Sequence, residues 1–252
     1  IADSSNMASA ASIGLNWTGA VTANSSTGYI SINAKAPSIT GAMTAYGIKF
    51  LANNQSYTLT SSSNSINTLA ANIGTGSLTF VNSGVLNIGS YNSVTGITAT
   101  GLTLTAGGLT DTSDAGITTT SSSTIAINNS SNSYDYSGVI AGPIALTKSG
   151  NGTQTLSGNN TYTGATSITA GTLVAANSGA VGTSAGGVSI TSGATLALQG
   201  GITIAYAINT ASGTGVGSLG AILNNSGSNT ITGLVTLGAA TTVGSTAGTL
   251  TF

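Results

Sequence analysis

The feature that most constrains this chain is a short run of apolar, small or polar, apolar residues that returns along its length. Leu78-Thr79-Phe80, Leu86-Asn87-Ile88, Leu102-Thr103-Leu104, Ile125-Ala126-Ile127, Val188-Ser189-Ile190, Leu196-Ala197-Leu198 and Ile202-Thr203-Ile204 all follow it. Large side chains two residues apart share one face of an extended strand, and the bracketing Gly, Asn and Ser supply turns and left-handed backbone. Helical spacing is sustained nowhere.

A second signal is a longer motif, seen as Asn92-Ser93-Val94-Thr95-Gly96, Asn160-Thr161-Tyr162-Thr163-Gly164 and Asn229-Thr230-Ile231-Thr232-Gly233, with a looser copy from Asn132 to Gly138. Gly96, Gly164 and Gly233 follow one another at nearly equal intervals, and the looser copy precedes the second by a little over a third of that interval. These spacings suit a coil of roughly 21–26 residues, within the range of stacked-coil folds. The expectation is an all-β solenoid whose successive coils lie about 4.8 Å apart along the axis, giving a rod about 50–55 Å long from about eleven coils. Leu156, Ile168, Leu173, Ile190, Leu196 and Leu198 should point inward. Residues 1–15, rich in alanine and poor in alternation, read as an N-terminal tail or cap, and 16–252 as a single continuous solenoid.

Composition then removes most chemistry. The ionisable side chains, tyrosines apart, are Lys35, Lys49, Lys148, Asp3, Asp111, Asp114 and Asp135, with no histidine, cysteine, arginine or glutamate. Three scattered lysines cannot follow a phosphate track, so nucleic acid is excluded as a partner. Gly, Ser, Thr or Asn interrupts every apolar run well before the length of a membrane span. Mean hydropathy of +0.34 with a net charge of -1 is a composition that buries a core, and so low a charge favours association between copies. No disulfide is available. The opening at Ile1, without initiator methionine or basic leader, fits a mature exported product or a fragment.

Glycoside hydrolysis needs two carboxylates across a cleft, and Asp111, Asp114 and Asp135 are the mid-chain candidates. The loop from Thr110 to Gly116 offers two carboxylates to a calcium ion, but Asp in a Gly-Ser-Thr loop ordinarily makes Asx turns. Tyr162, Tyr206, Phe80 and Trp17 are weighed as sugar platforms against core filling, and core filling is preferred. Asn160 and its equivalents are read as turn caps bonding their own backbone. Thr-x-Thr pairs at 58/60, 103/105, 153/155 and 161/163 resemble flat ice-binding faces, yet the gaps between successive pairs are very unequal, which argues against a register. No catalytic, cofactor or metal residue is assigned, and the chain is read as not an enzyme.

The stretch from Leu146 through Lys148, Gly150, Gly152, Gln154, Leu156, Asn160, Tyr162 and Gly164, then Ile168 and Gly171-Thr172-Leu173, resembles the autotransporter-associated β-strand repeat. Similarity continues through Asn177–Gly182 and Gly193–Leu198, while Gln154 stands where the family has an apolar residue. The resemblance implies a right-handed parallel β-helix exported to the bacterial surface, as a passenger or stalk in a longer protein. Function is therefore read as an extracellular structural protein building a filament or layer, with an adhesin stalk binding surfaces or glycans as the alternative. The expected partner is the protein itself, head to tail. Gly248-Thr249-Leu250-Thr251-Phe252 ends in a strand-like pattern without a polar cap, so Leu250 and Phe252 at one end, with Ile13, Leu15 and Trp17 at the other, are the candidate self-association residues.

Overall fold

A computed structural model describes residues 16–17, 21–22, 29–32, 38–51, 54–183, 186–238 and 240–252. These form a parallel β-solenoid of about ten turns, and the described residues include no α-helix, only a short 3₁₀ turn at Val216–Ser218. One wall is an unbroken eleven-stranded parallel sheet running from Asn16–Trp17 through Ser77–Val81, Gly101–Ala106, Ser123–Asn128 and Ile144–Ser149 to Val235–Leu237. A second wall is carried at its C-terminal end by six strands from Ser133–Tyr136 to Val243–Ser245. The third runs through Ile97–Ala99, Ile117–Thr119, Ile140–Gly142 and Thr161–Tyr162, and resumes as Thr203–Ile204, Asn229–Ile231 and Leu250–Thr251. In the N-terminal coils the long strands Met43–Phe50 and Ser65–Asn72 join the second and third walls.

Alternation dictates the core. Along the first wall Ile39, Leu59, Phe80, Leu104, Ile125 and Leu146 lie opposite one another on successive rungs and are all buried. The column continues through Thr166, Val188 and Ile208. On the second wall Leu173, Leu196 and Ile222 stack in the same way beside Leu156, Ala175 and Leu198. All six residues expected inward are buried. Each such Leu or Ile contributes about 1.5–3 kcal/mol by leaving water. Coil length is not constant: a short coil leads from Leu146 to its partner Thr166, and a markedly longer one from Ile208 to Val235.

The extra length goes into excursions. Between Gly89 and Gly96, at the corner between Val85–Ile88 and Ile97–Ala99, the chain makes an antiparallel hairpin, Ser90–Tyr91 with Val94–Thr95, turning at Asn92 and Ser93 with φ of 43° and 70°. The Asn92–Gly96 copy of the motif is thus a surface turn. Asn160 and Asn229 lead into third-wall strands and are true structural equivalents, three coils apart.

The second wall has one break, between Gly108–Asp111 and Ser133–Tyr136. There the ring of Tyr134 lies over Gly108, where a Cβ would sit 2.2 Å from Tyr134 Cδ2. Gln154, from the following rung, crosses the break. Its Oε1 accepts from Leu109 N–H at 2.9 Å and its Nε2 donates to Leu109 C=O at 2.9 Å, so a side-chain amide does the work of a strand residue. A glutamine is buried here because its amide takes the place of a missing strand residue.

Replacing Leu196 by Asp places an unpaired carboxylate between Leu173 and Ile222. Stability should fall by about 4 kcal/mol or more, read as a lowered urea midpoint or loss of the strand signal in circular dichroism. Leu196→Ala should cost about 2–5 kcal/mol.

Candidate functional site

Lys148 occupies an apolar position. Its rung partners are Ile127 before it and Ile168 after it, so the period-two pattern turns its side chain into the core. It is fully buried and forms no ion pair among the described residues. An ammonium has three donors and needs three acceptors. Nζ donates to Ser149 C=O at 2.8 Å, Gly150 C=O at 2.8 Å and Ala170 C=O at 3.2 Å, the last from the next coil. The side chain therefore ties two successive corners together. Burial lowers its pKa from the ordinary 10.5 to about 8.

Buried asparagines do the same at other corners. Asn160 Oδ1 accepts from Ile140 N–H at 2.8 Å and its Nδ2 donates to Ala180 C=O at 2.8 Å, linking the coil before to the turn after. Asn229 accepts from Ile202 N–H at 2.8 Å and donates to Asn224 Oδ1 at 2.6 Å and Ser226 C=O. Asn64 and Asn82 accept from Met43 and Ile66 N–H, each at 2.8 Å. Local turn capping, expected of Asn160, is replaced by bonds to neighbouring coils. Buried corners leave backbone groups that strands cannot pair, and an amide supplies both a donor and an acceptor.

Asp111, Asp114 and Asp135 lie at the surface, on strands or in the loops between them. Ser137 N–H donates to Asp111 Oδ1 at 2.6 Å, and Ser137 Oγ lies 2.8 Å from both Asp111 Oδ2 and Asp114 Oδ1. One hydroxyl proton serves one of these carboxylates at a time. Asp114 itself is left-handed, at φ 55°. Asp135 Oδ1 accepts from Ser157 Oγ at 2.9 Å. Among the described residues no group of three or more His, Cys, Asp or Glu is placed to hold a metal ion. Lys49, nearly buried, has its Nζ 4.7 Å from the centre of the Tyr91 ring on the surface hairpin, a cation–π contact.

Of the aromatic candidates, Phe80 and Tyr162 are core residues, Tyr162 sharing a 2.6 Å hydrogen bond with Thr166 Oγ1, and Tyr206 is partly buried against the core. Of the end residues, Ile13 and Leu15 lie outside the described residues. Trp17 pairs through its backbone with Ile39, and its side chain is likewise outside them. Leu250 packs against the core, whereas Phe252 is 63% exposed. Sequence reasoning missed Leu234, Leu237 and Val243, which are exposed at the same end. Leu237 extends the inward column of Ile168, Ile190 and Ala211, and Val243 that of Leu196 and Ile222.

The coil that contains Lys148, Gln154, Asn160 and Tyr162 is also where comparison with known families finds a match, over residues 146–175, to the passenger-associated-transport-repeat. This segment resembles a passenger repeat. No curated protein and no solved structure gives a significant match to the chain. The matched segment begins on the first wall at Leu146, crosses the second at Thr153–Leu156 and the third at Thr161–Tyr162, passes the first again at Thr166–Ile168 and ends on the second at Thr172–Ala175. The matched segment is therefore about one and a half coils, with Lys148, Gln154 and Asn160 turned into the core. A match of this kind within a β-solenoid fits an autotransporter passenger-like domain.

Lys148 gives this segment a pH signature. Between pH about 8 and 10.5 the unfolded chain binds a proton that the folded chain has released, so stability rises with pH across that window. Burial pushes Tyr136 and Tyr162 above their ordinary 10.0, so above pH 10 the unfolded chain loses protons that the folded chain keeps, and stability falls. Urea midpoints should climb by the equivalent of about 1–3 kcal/mol from pH 7 to pH 10 and then drop. Lys148→Met should abolish the climb and leave the drop.

Proposed function

We propose that this chain is a non-catalytic, surface-exposed or secreted rod of the passenger type, which stacks end to end with further copies of itself. The observation that carries the reading is a rod of in-register parallel strands with almost no charge on it. Residues in the inward columns are buried along the solenoid, but at the last coil Leu237 is 53% and Val243 38% exposed, with Leu234 and Phe252 beside them. A further parallel coil, of the same chain or of another copy, would cover these residues, since a strand edge accepts another strand, and a contact between unlike ends that does not close generates a polymer.

Composition supports the same reading. The charges are too few to keep copies apart, and the carboxylates are engaged by serine hydroxyls and backbone. The resemblance of residues 146–175 to a passenger repeat supports display outside the cell. Glycan adhesion draws less support, because Phe80 and Tyr162, the aromatics weighed for it, are buried.

Sedimentation of the native chain should show concentration-dependent association that changes little with salt, since there is little charge to screen. Leu237→Lys with Phe252→Asp should remain monomeric. Leu250 is avoided because it packs against the core. If both proteins stay monomeric, or both associate equally, the stacking joint is wrong.

A further inference from the structure

On the outer face of the first wall, residues that are far apart in the sequence fall into two columns. Thr58, Thr79, Thr103, Thr124 and Ala145 are partners on five consecutive rungs. Two residues along each strand, Val81, Thr105, Ala126, Thr147, Ser167 and Ser189 form the second column, which Thr60 extends by one rung beyond Leu59. The rungs thus read Thr-x-Thr, Thr-x-Val, Thr-x-Thr, Thr-x-Ala and Ala-x-Thr. The long gap between the pairs at 58/60 and 103/105 is two coils of unequal length, with Thr79 on the rung between them. The irregular spacing that argued against a register in the sequence comes from unequal coils and from pairs on different walls, for Thr153 and Thr155 belong to the second wall and Thr161 to the third.

We propose that this face binds ice, meeting the ordered water of a crystal surface. Successive hydroxyls and methyls recur about 4.8 Å apart along the axis and about 6.7 Å apart along each strand, a two-dimensional mesh comparable to the spacing of oxygens on a face of hexagonal ice. Five rungs extend the mesh about 19 Å. All its positions are exposed or half-exposed, and none is charged, because Lys148, the one charged residue on these strands, points inward. A charge would orient water around itself and break the lattice.

A second observation separates these threonines from the rest. At the corners, hydroxyls are used inside the fold: Thr75 donates to Asn54, Thr112 to Asn87, Thr169 to Lys148 C=O and Thr246 to Asn224 C=O. Within the described residues the hydroxyls of Thr58, Thr79, Thr103, Thr105, Thr124 and Thr147 have no such protein partner and remain available to water. Their rigid backbone ladder and limited χ1 freedom pre-arrange them, so little entropy is lost on binding. Hydroxyls joined to a water layer bond nearly as well as by direct contact, while the methyls between them favour ordered first-shell water.

The test is inhibition of ice recrystallisation, with faceting of single crystals as a second readout, on the native chain, Thr103→Lys and Thr118→Lys. Thr103 lies mid-face, and Thr118 is equally exposed on the third wall. Native chain and Thr118→Lys should both inhibit growth, while Thr103→Lys should need about tenfold more protein or fail, as expected for a charge set in the middle of a contact patch. Circular dichroism and urea midpoints, unchanged for these exposed sites, keep folding out of the comparison. A native chain that neither slows recrystallisation nor shapes crystals overturns the proposal. So does equal loss in both variants.

Discussion

Everything in this molecule depends on one coil lying in register on the next. Parallel pairing fixes the rung separation, and because side chains alternate, register decides for every residue whether it enters the core or meets solvent. Ile39, Leu59, Phe80, Leu104, Ile125 and Leu146 are one column because their backbones are hydrogen-bonded partners, although a whole coil of sequence separates each from the next. The same pairing aligns the threonines outside. A solenoid with few charges has no long-range electrostatics to hold it and relies on contact between neighbours.

Corners are where such a coil is weakest, since strands stop pairing while the backbone remains buried. The chain answers with neutral amides and one lysine. Asn64, Asn82, Asn160 and Asn229 each reach a backbone group of an adjacent coil, Gln154 spans a gap in the second wall, and Lys148 joins two turns with three carbonyl bonds. Gly142 serves the same end differently. Its φ is 109°, and a Cβ there would lie 2.1 Å from Thr119 C=O, so only glycine permits that close approach between coils.

The architecture was legible in the sequence because the apolar residues carry it: Leu156, Ile168, Leu173, Ile190, Leu196 and Leu198 are core, as their alternation implies. The passenger-like segment was legible from the resemblance of Leu146 through Gly164 and Gly171-Thr172-Leu173 to a known repeat. Lys148 and Gln154 were not, because a polar residue at an inward position looks the same in sequence as one in a loop, and its partners come from other coils. The Asn92 motif misled for a related reason, since asparagine and glycine suit a hairpin turn as well as a buried corner. The threonine face was hidden by coil length: the hairpin of Ser90–Tyr91 with Val94–Thr95 lengthens the coil between Thr79 and Thr103 and erases a constant period. Exposure of Leu237 and Val243 depends on which column ends where, which only the stacked rungs reveal.

Register can be read covalently, because the chain has no cysteine of its own. Thr103 and Thr124 are direct partners on neighbouring rungs, at a Cα separation of about 4.8 Å that lies within disulfide range. Thr103 and Thr118 are nearer in sequence but sit on different walls. Under mild oxidation the Thr103→Cys, Thr124→Cys protein should close an internal bridge, found by mass spectrometry and by a rise in thermal stability, while the Thr103→Cys, Thr118→Cys protein should keep both thiols. A folded protein in which the first pair stays reduced, or in which the second pair closes as readily, would contradict the register on which the core, the polar corners and the outer face all rest.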